Sequence, residues 1–98
     1  MATTLTVTHA DNEVAAILNG VVVYDKKTEG NPPINDQVPL DPYLAAGLNV
    51  LAITGINWGG PATFSGAVTV GAVVTPFNFA AASTPNGMVF NQTFVIPH

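Results

Sequence analysis

From its first residues the chain alternates. Leu5, Val7 and His9 fall on one parity and Thr4, Thr6 and Thr8 on the other, the period of two that gives a strand one apolar and one polar face. Ala10-Asp11-Asn12 reads as a turn cluster, and a second strand is predicted from about Glu13 to Leu18. Asn19-Gly20 separates Ala-Ala-Ile-Leu from Val-Val-Val-Tyr, and this dipeptide adopts the positive φ values that a two-residue type I′ hairpin requires. The third strand is expected to end near Asp25. Lys26 to Gln37, KKTEGNPPINDQ, is polar and holds two adjacent prolines, which lack the N–H a central strand must donate. A long exposed loop is predicted there, followed by a short edge strand at Val38-Pro39-Leu40.

The stretch that organises the rest is Asp41 to Gly60, DPYLAAGLNVLAITGINWGG. Asp41 as a carboxylate cap, Pro42 at the first helical position and Gly47 as a left-handed terminator predict a single helical turn. Leu48 to Ile53 is apolar on both faces apart from Asn49, as in a strand covered on two sides. Asn57 to Pro61 is predicted to be a glycine-rich loop. Beyond it Phe64, Gly66, Val68, Val70, Ala72 and Val74 share one parity, while Thr63, Ser65 and Thr69 take the other, which predicts a half-buried strand of about ten residues. Pro76 is expected to break it, Phe77 and Phe79 to form a short apolar segment, Thr84 to Gly87 to turn, and Met88 to Ile96 to form a last strand. Short strands separated by turn chemistry argue for an all-β fold, an antiparallel β-sandwich of about seven to eight strands with one helical turn. A closed barrel fits less well, because Pro39 and Pro32-Pro33 imply edges.

Composition narrows the function. With 98 residues, 1–98 is read as a single β-sandwich domain able to fold without crosslinks. Cysteine is absent, which excludes disulfides, thiolate metal sites and a thiol nucleophile. Charged residues make up 8%, Lys26 and Lys27 are the only cationic side chains, and the net charge is −4. Nucleic acid and anionic membrane surfaces are therefore not expected as partners, since both are recognised through cationic surface. No apolar run approaches the roughly 18 residues of a membrane span. The opening MATTLTVTHADNEV has neither a basic nor an apolar leader region, so no signal peptide is expected in this chain, which leaves an extracellular or particle-associated role open. Low charge with abundant Thr and Val predicts a homo-oligomer.

Three pieces in order resemble the galactose-binding-domain-like jelly-roll modules appended to many glycoside hydrolases. They are Ala10-Asp11-Asn12 with a strand into Leu18-Asn19-Gly20-Val21; Leu40 to Leu44 with Gly47 to Ile53; and Asn57 before Gly59-Gly60. The resemblance covers roughly residues 10 to 66 and departs from the family at Ala62-Thr63-Phe64, where such modules often carry a glycine-containing step. It implies a jelly-roll sandwich and a non-catalytic carbohydrate-binding role.

If successive strands reverse direction, Asn19-Gly20 and the Asp41 turn share one end of the molecule. Ala10 to Asn12, the Lys26 to Gln37 loop, Asn57 to Pro61 and Ser83 to Gly87 gather at the other. Trp58, the only tryptophan, lies in that second group. A sugar stacks its C–H face on an aromatic ring while amides and carboxylates take its hydroxyls, so Trp58 with Asn57, Asn12, Asp11 and Asp36 is the candidate ligand site. The alternatives are that Trp58 folds back as a lid on the core and that Asp11 is a turn former. Asp11, Glu29 and Asp36 show no spaced calcium motif, and no metal or cofactor is expected. His9 is expected to be a satisfied, partly buried histidine, and His98 a mobile terminus. Ser65 and Ser83 lie in no nucleophile-elbow context, Gly59-Gly60 lacks the lysine and helix of a phosphate loop, and the sequon Asn91-Gln92-Thr93 falls in a predicted strand. The chain is therefore not expected to be an enzyme. The first expectation is a carbohydrate-binding module or small lectin; the alternative is a structural or assembly subunit of a particle, tail or surface layer.

Overall fold

The computed structural model describes residues 2–29 and 32–98. It is an antiparallel curled sheet of six strands: β1 (Thr3–Asp11), β2 (Glu13–Leu18), β3 (Val21–Lys27), β4 (Asp36–Pro39), β5 (Leu48–Val70) and β6 (Val73–Pro97). One 3-10 turn (Asp41–Tyr43) precedes β5.

β5 decides the shape. Its 23 residues would span roughly 75 Å if straight, whereas the longest dimension of the molecule is 40 Å, so the strand has to fold back on itself. Leu48 and Val70, its two ends, border the same surface depression. The first half of β5 pairs with β2 and the second half with β1, while β6 accompanies both. This gives two wings: β3, β2, the start of β5 and the end of β6 in one, and β4, β1, the end of β5 and the start of β6 in the other. Their inner faces bury Leu5, Val7, Val14, Leu18, Leu51, Ile53, Phe64 and Ile96. Across the open side, the Tyr24 hydroxyl of β3 donates to Asp36 Oδ2 of β4 at 2.6 Å, with Lys26 Nζ 3.8 Å from the same oxygen.

The bend arises where the sequence predicts a loop. Asn57 to Pro61 does not leave the sheet: Asn57, Trp58 and Gly60 face Gly87, Asn86 and Thr84 of β6. Gly59 (φ 96°) and Gly60 (φ 78°) take up the positive dihedrals, and register shifts on either side turn the strand without breaking its pairing. Thr84 to Gly87, predicted to turn, is likewise paired. The real reversal is the two-residue turn Gly71-Ala72, closed by Val70 opposite Val73. The predicted ten-residue strand therefore ends at Val70, and the parity inverts across the turn, so that Phe77 is buried and Val74 is exposed. Pro76 does not break β6: counting from the closing pair, its nitrogen falls on the side away from β5. Fusing these segments leaves six strands instead of seven or eight.

Elsewhere the sequence reading is matched or locally corrected. Asn19 (φ 51°) and Gly20 (φ 82°) make the expected hairpin turn. Strand β3 runs two residues beyond Asp25, to Lys27. A bulge between Val7 and His9 puts Ala10 into the core and moves His9 off the apolar parity. Asp41 does not cap the 3-10 turn, whose N-cap is Leu40; its carboxylate accepts the Thr3 N–H at 3.2 Å. Gly47 (φ 98°) does not end that turn but exchanges backbone hydrogen bonds with His98, which extends the β5–β6 ladder and ties the terminal residue to the sheet. Buried Asn49 stitches this end together. Its Oδ1 accepts from Asn19 Nδ2 and the Ala45 N–H, both at 2.8 Å, and its Nδ2 donates to the carbonyls of Ala45 (2.9 Å) and Ile96 (3.1 Å).

The core is aromatic along the two long strands. Phe64 lies over Gly55 and Phe77 over Gly66; a Cβ on either glycine would come within 2.7 Å of the ring. Phe64, Phe77, Phe79, Phe90 and Phe94 form a row with neighbouring centroids 5.6 to 6.4 Å apart.

Candidate functional site

The end of the molecule opposite the Asn19 hairpin is assembled by Asn12, between β1 and β2. Its N–H donates to Ile56 O (3.2 Å), its carbonyl accepts the Thr28 N–H (2.6 Å), and its Oδ1 accepts the Trp58 N–H (3.0 Å). The Thr28 hydroxyl donates to the Ala10 carbonyl, and Asn12 Nδ2 reaches the Thr28 carbonyl at 3.4 Å. One asparagine thus clamps the bend of β5 to the segment leaving β3.

Held in this way, Trp58 turns outward. The residue is 53% exposed, so the ring is not a lid on the core. It borders a shallow cavity of about 250 Å³ whose other walls are Lys27, Thr28 and Glu29. The walls thus combine an exposed aromatic residue with a cationic, a hydroxyl-bearing and an anionic one, the Thr28 hydroxyl being engaged by the Ala10 carbonyl.

The remaining sequence candidates occupy different positions. Asn57 is fully buried, donating from Nδ2 to Gly60 O (3.1 Å) and Thr84 Oγ1 (2.6 Å), so it braces the bend beneath Trp58. Its Oδ1 is buried with no hydrogen-bond partner among the described residues. Asp11 is largely buried and faces Thr63 across the β1–β5 pairing. Asp36 lies on β4, engaged by Tyr24 and Lys26, and is not among the cavity walls. Asn12 and Trp58 are therefore brought into direct contact, Asn57 adjoins them from below, and Asp36 is elsewhere. Sequence reasoning missed Lys27 and Thr28 as individual residues and weighed Glu29 only as a calcium ligand. The available signal was that the loop beginning at Lys26 belongs to the same end as Asn12.

Electrostatics around this end are mild. Glu13 hydrogen bonds with the Asp25 carboxyl, which together with slight burial and repulsion from that carboxylate raises its pKa; Lys27, its cross-strand neighbour, acts in the opposite sense. Burial, then the hydrogen bond to Asp36, pushes the Tyr24 phenol above its ordinary range. On the other wing, His9 Nδ1 lies 2.9 Å from Ser65 Oγ, which also pairs with Thr8 Oγ1 at 2.8 Å. This is a cross-strand contact in mid-sheet, with no carboxylate hydrogen bonded to the imidazole among the described residues. Nor do Asp11, Glu29 and Asp36 form a metal-binding group; among the described residues no three His, Asp or Glu side chains do. No described helix is long and apolar enough to cross a membrane.

Comparison of the chain with protein-family models, with curated proteins and with solved structures gave no match.

Proposed function

We propose that the chain is a non-catalytic carbohydrate-binding module, a small lectin whose curled sheet is a jelly-roll sandwich of the galactose-binding-like kind. The observation that carries this reading is the outward indole of Trp58, fixed by Asn12 and set beside Lys27, Thr28 and Glu29. A pyranose laid on the ring presents its hydroxyls to those three side chains. The cavity is open and shallow, so a single site binds weakly and several sites on one particle raise the avidity. Asn12 serves as a positioning residue and Asn57 as the support of the bend.

The test uses the lone tryptophan as its own reporter. Titration with a panel of mono- and oligosaccharides should shift or quench the Trp58 emission, and calorimetry on Trp58→Ala should show binding abolished with the fold intact. A panel that leaves both signals unmoved overturns the reading.

A second reading, a structural or assembly subunit, is favoured by one separate observation. Every Asp, Glu and Lys lies between residues 11 and 41, which leaves β5 and β6 without a charged side chain.

A further inference from the structure

The sheet has edges of two kinds. On one side, β3 carries Asp25, Lys26 and Lys27, β4 carries Asp36, and the Tyr24–Asp36 contact ties the two edges together. Charges and short length are the usual defences of an edge strand against pairing with another chain. On the other side lies β6, 25 residues long and paired to β5 alone among the described strands. It has no charge, and its only protection is proline.

The ladder shows which of its groups are free. Gly47 and His98 exchange both backbone hydrogen bonds. Antiparallel pairs alternate, so Asn49 with Ile96, Leu51 with Phe94 and Ile53 with Gln92 are bonded in the same way. The intervening residues Asn91, Thr93 and Val95 direct their N–H and C=O groups at the open edge, and Pro97, next in that series, has no N–H to offer. Along the other half of β6 the outward series is Val74, Pro76, Asn78, which Pro76 interrupts. Asn91 to Val95 is thus the unguarded segment.

We propose that a second copy of the chain docks here, extending the sheet by antiparallel pairing of Asn91 to Val95 across a two-fold axis at Thr93. The inference deepens the assembly reading, on which it rests, and does not depend on sugar binding. A two-fold makes the segment its own complement: Thr93 pairs with Thr93 of the second copy and Asn91 with Val95 of the second copy, each pair exchanging two hydrogen bonds. The same register places half-buried Phe90 opposite Ile96 of the second copy and half-buried Phe94 opposite Gln92 of the second copy, covering rings that close the core only on one side. Charge placement selects the same approach. Each copy carries −4, all of it within residues 11–41, so contact through β6 joins the uncharged parts of the two molecules.

The test is sedimentation equilibrium on the full chain and on two variants. Thr93→Pro removes an outward N–H without touching a bond to β5, and Thr93→Lys sets two ammonium groups face to face at the axis. Wild type should dimerise, with slowed exchange of the Asn91, Thr93 and Val95 amides. Each variant should weaken the dimer by about tenfold or more while keeping the wild-type circular dichroism. Val22→Lys, on the already charged β3 edge, should leave the dimer unchanged. A dimer that persists in both Thr93 variants overturns this interface but leaves the assembly reading standing. A chain that stays monomeric at its highest soluble concentration overturns both.

Discussion

Asn49 offers the sharpest test of how the fold is held. It is fully buried, yet all of its amide capacity is used: two acceptor contacts from Asn19 and Ala45, and two donor contacts to Ala45 and Ile96. Replacing it by alanine removes these four hydrogen bonds, each contributing about 1 kcal/mol net, together with a longer contact from Nδ2 to Gly47 O at 3.4 Å. Asn19 and Ala45 are exposed, and their freed groups regain water, while Ile96 O retains its ladder bond. The expected loss is therefore about 2 to 3 kcal/mol, out of the roughly 5 to 15 kcal/mol typical of a domain. For a chain of this length that lowers Tm by about 10 to 20 °C. Urea unfolding should show a lower midpoint at unchanged slope, since the surface exposed on unfolding hardly alters. Asn49→Asp keeps the two acceptor contacts but sets a carboxylate against two carbonyls; it should be at least as damaging at neutral pH and partly relieved in acid. A loss below about 1 kcal/mol for Asn49→Ala would refute the reasoning, because the buried amide would then be no more than space-filling.

Two further outcomes follow from close packing and from titration. At Gly66 a Cβ would collide with the Thr6 carbonyl oxygen and lie 2.7 Å from the Phe77 ring, so Gly66→Ala should destabilise beyond the about 1 to 3 kcal/mol of ordinary overpacking, read as a fall in the urea midpoint. Tyr24 has its folded pKa raised above the ordinary 10.0, so its stabilising contribution is complete below pH 10 and falls as pH rises through and above that value. Tyr24→Phe should cost about 1 kcal/mol at neutral pH and flatten the alkaline decline in stability, measured by urea unfolding between pH 8 and pH 11.

What could be read in advance was local chemistry with a single solution. Asn19-Gly20 admits little but a tight hairpin, and Leu48 to Ile53 is a strand as its apolar run predicts; it is not covered on two sides, because Leu48 and Val50 are exposed and the polar Asn49 lies on the buried face with Leu51 and Ile53. What could not be read was where glycine and proline act inside a paired strand. Gly59-Gly60-Pro61 and Thr84 to Gly87 carry the composition of loops, yet each meets the other across the ladder, and only the partner strand shows that positive φ here bends the chain without releasing it. Gly71-Ala72 was hidden for a converse reason, since apolar residues of the right parity continue on both sides of it. His9 shows the same limit on a smaller scale: a bulge shifts the parity by one residue, and nothing in the alternation announces it. At the candidate site, the sequence grouped Trp58 with Asn12, and the structure brings the two into contact with the Trp58 residue exposed. Lys27 and Thr28 joined Glu29 beside Trp58 only once the end of β3 was fixed against Asn12, and Asp36 left the group because β4 borders the opposite wing.

The two long strands also constrain the order in which the molecule is completed. During synthesis β2 and β3 can close on their hairpin early, but Thr3 must wait for Val70, about two-thirds of the chain later, before β1 gains its neighbour in β5. Neither wing is complete on its own, because both take their inner strands from the same two long elements, β5 and β6. Pairing β6 along β5 therefore joins both halves at once, and the long-range contacts this requires belong to the slower-folding kind of topology.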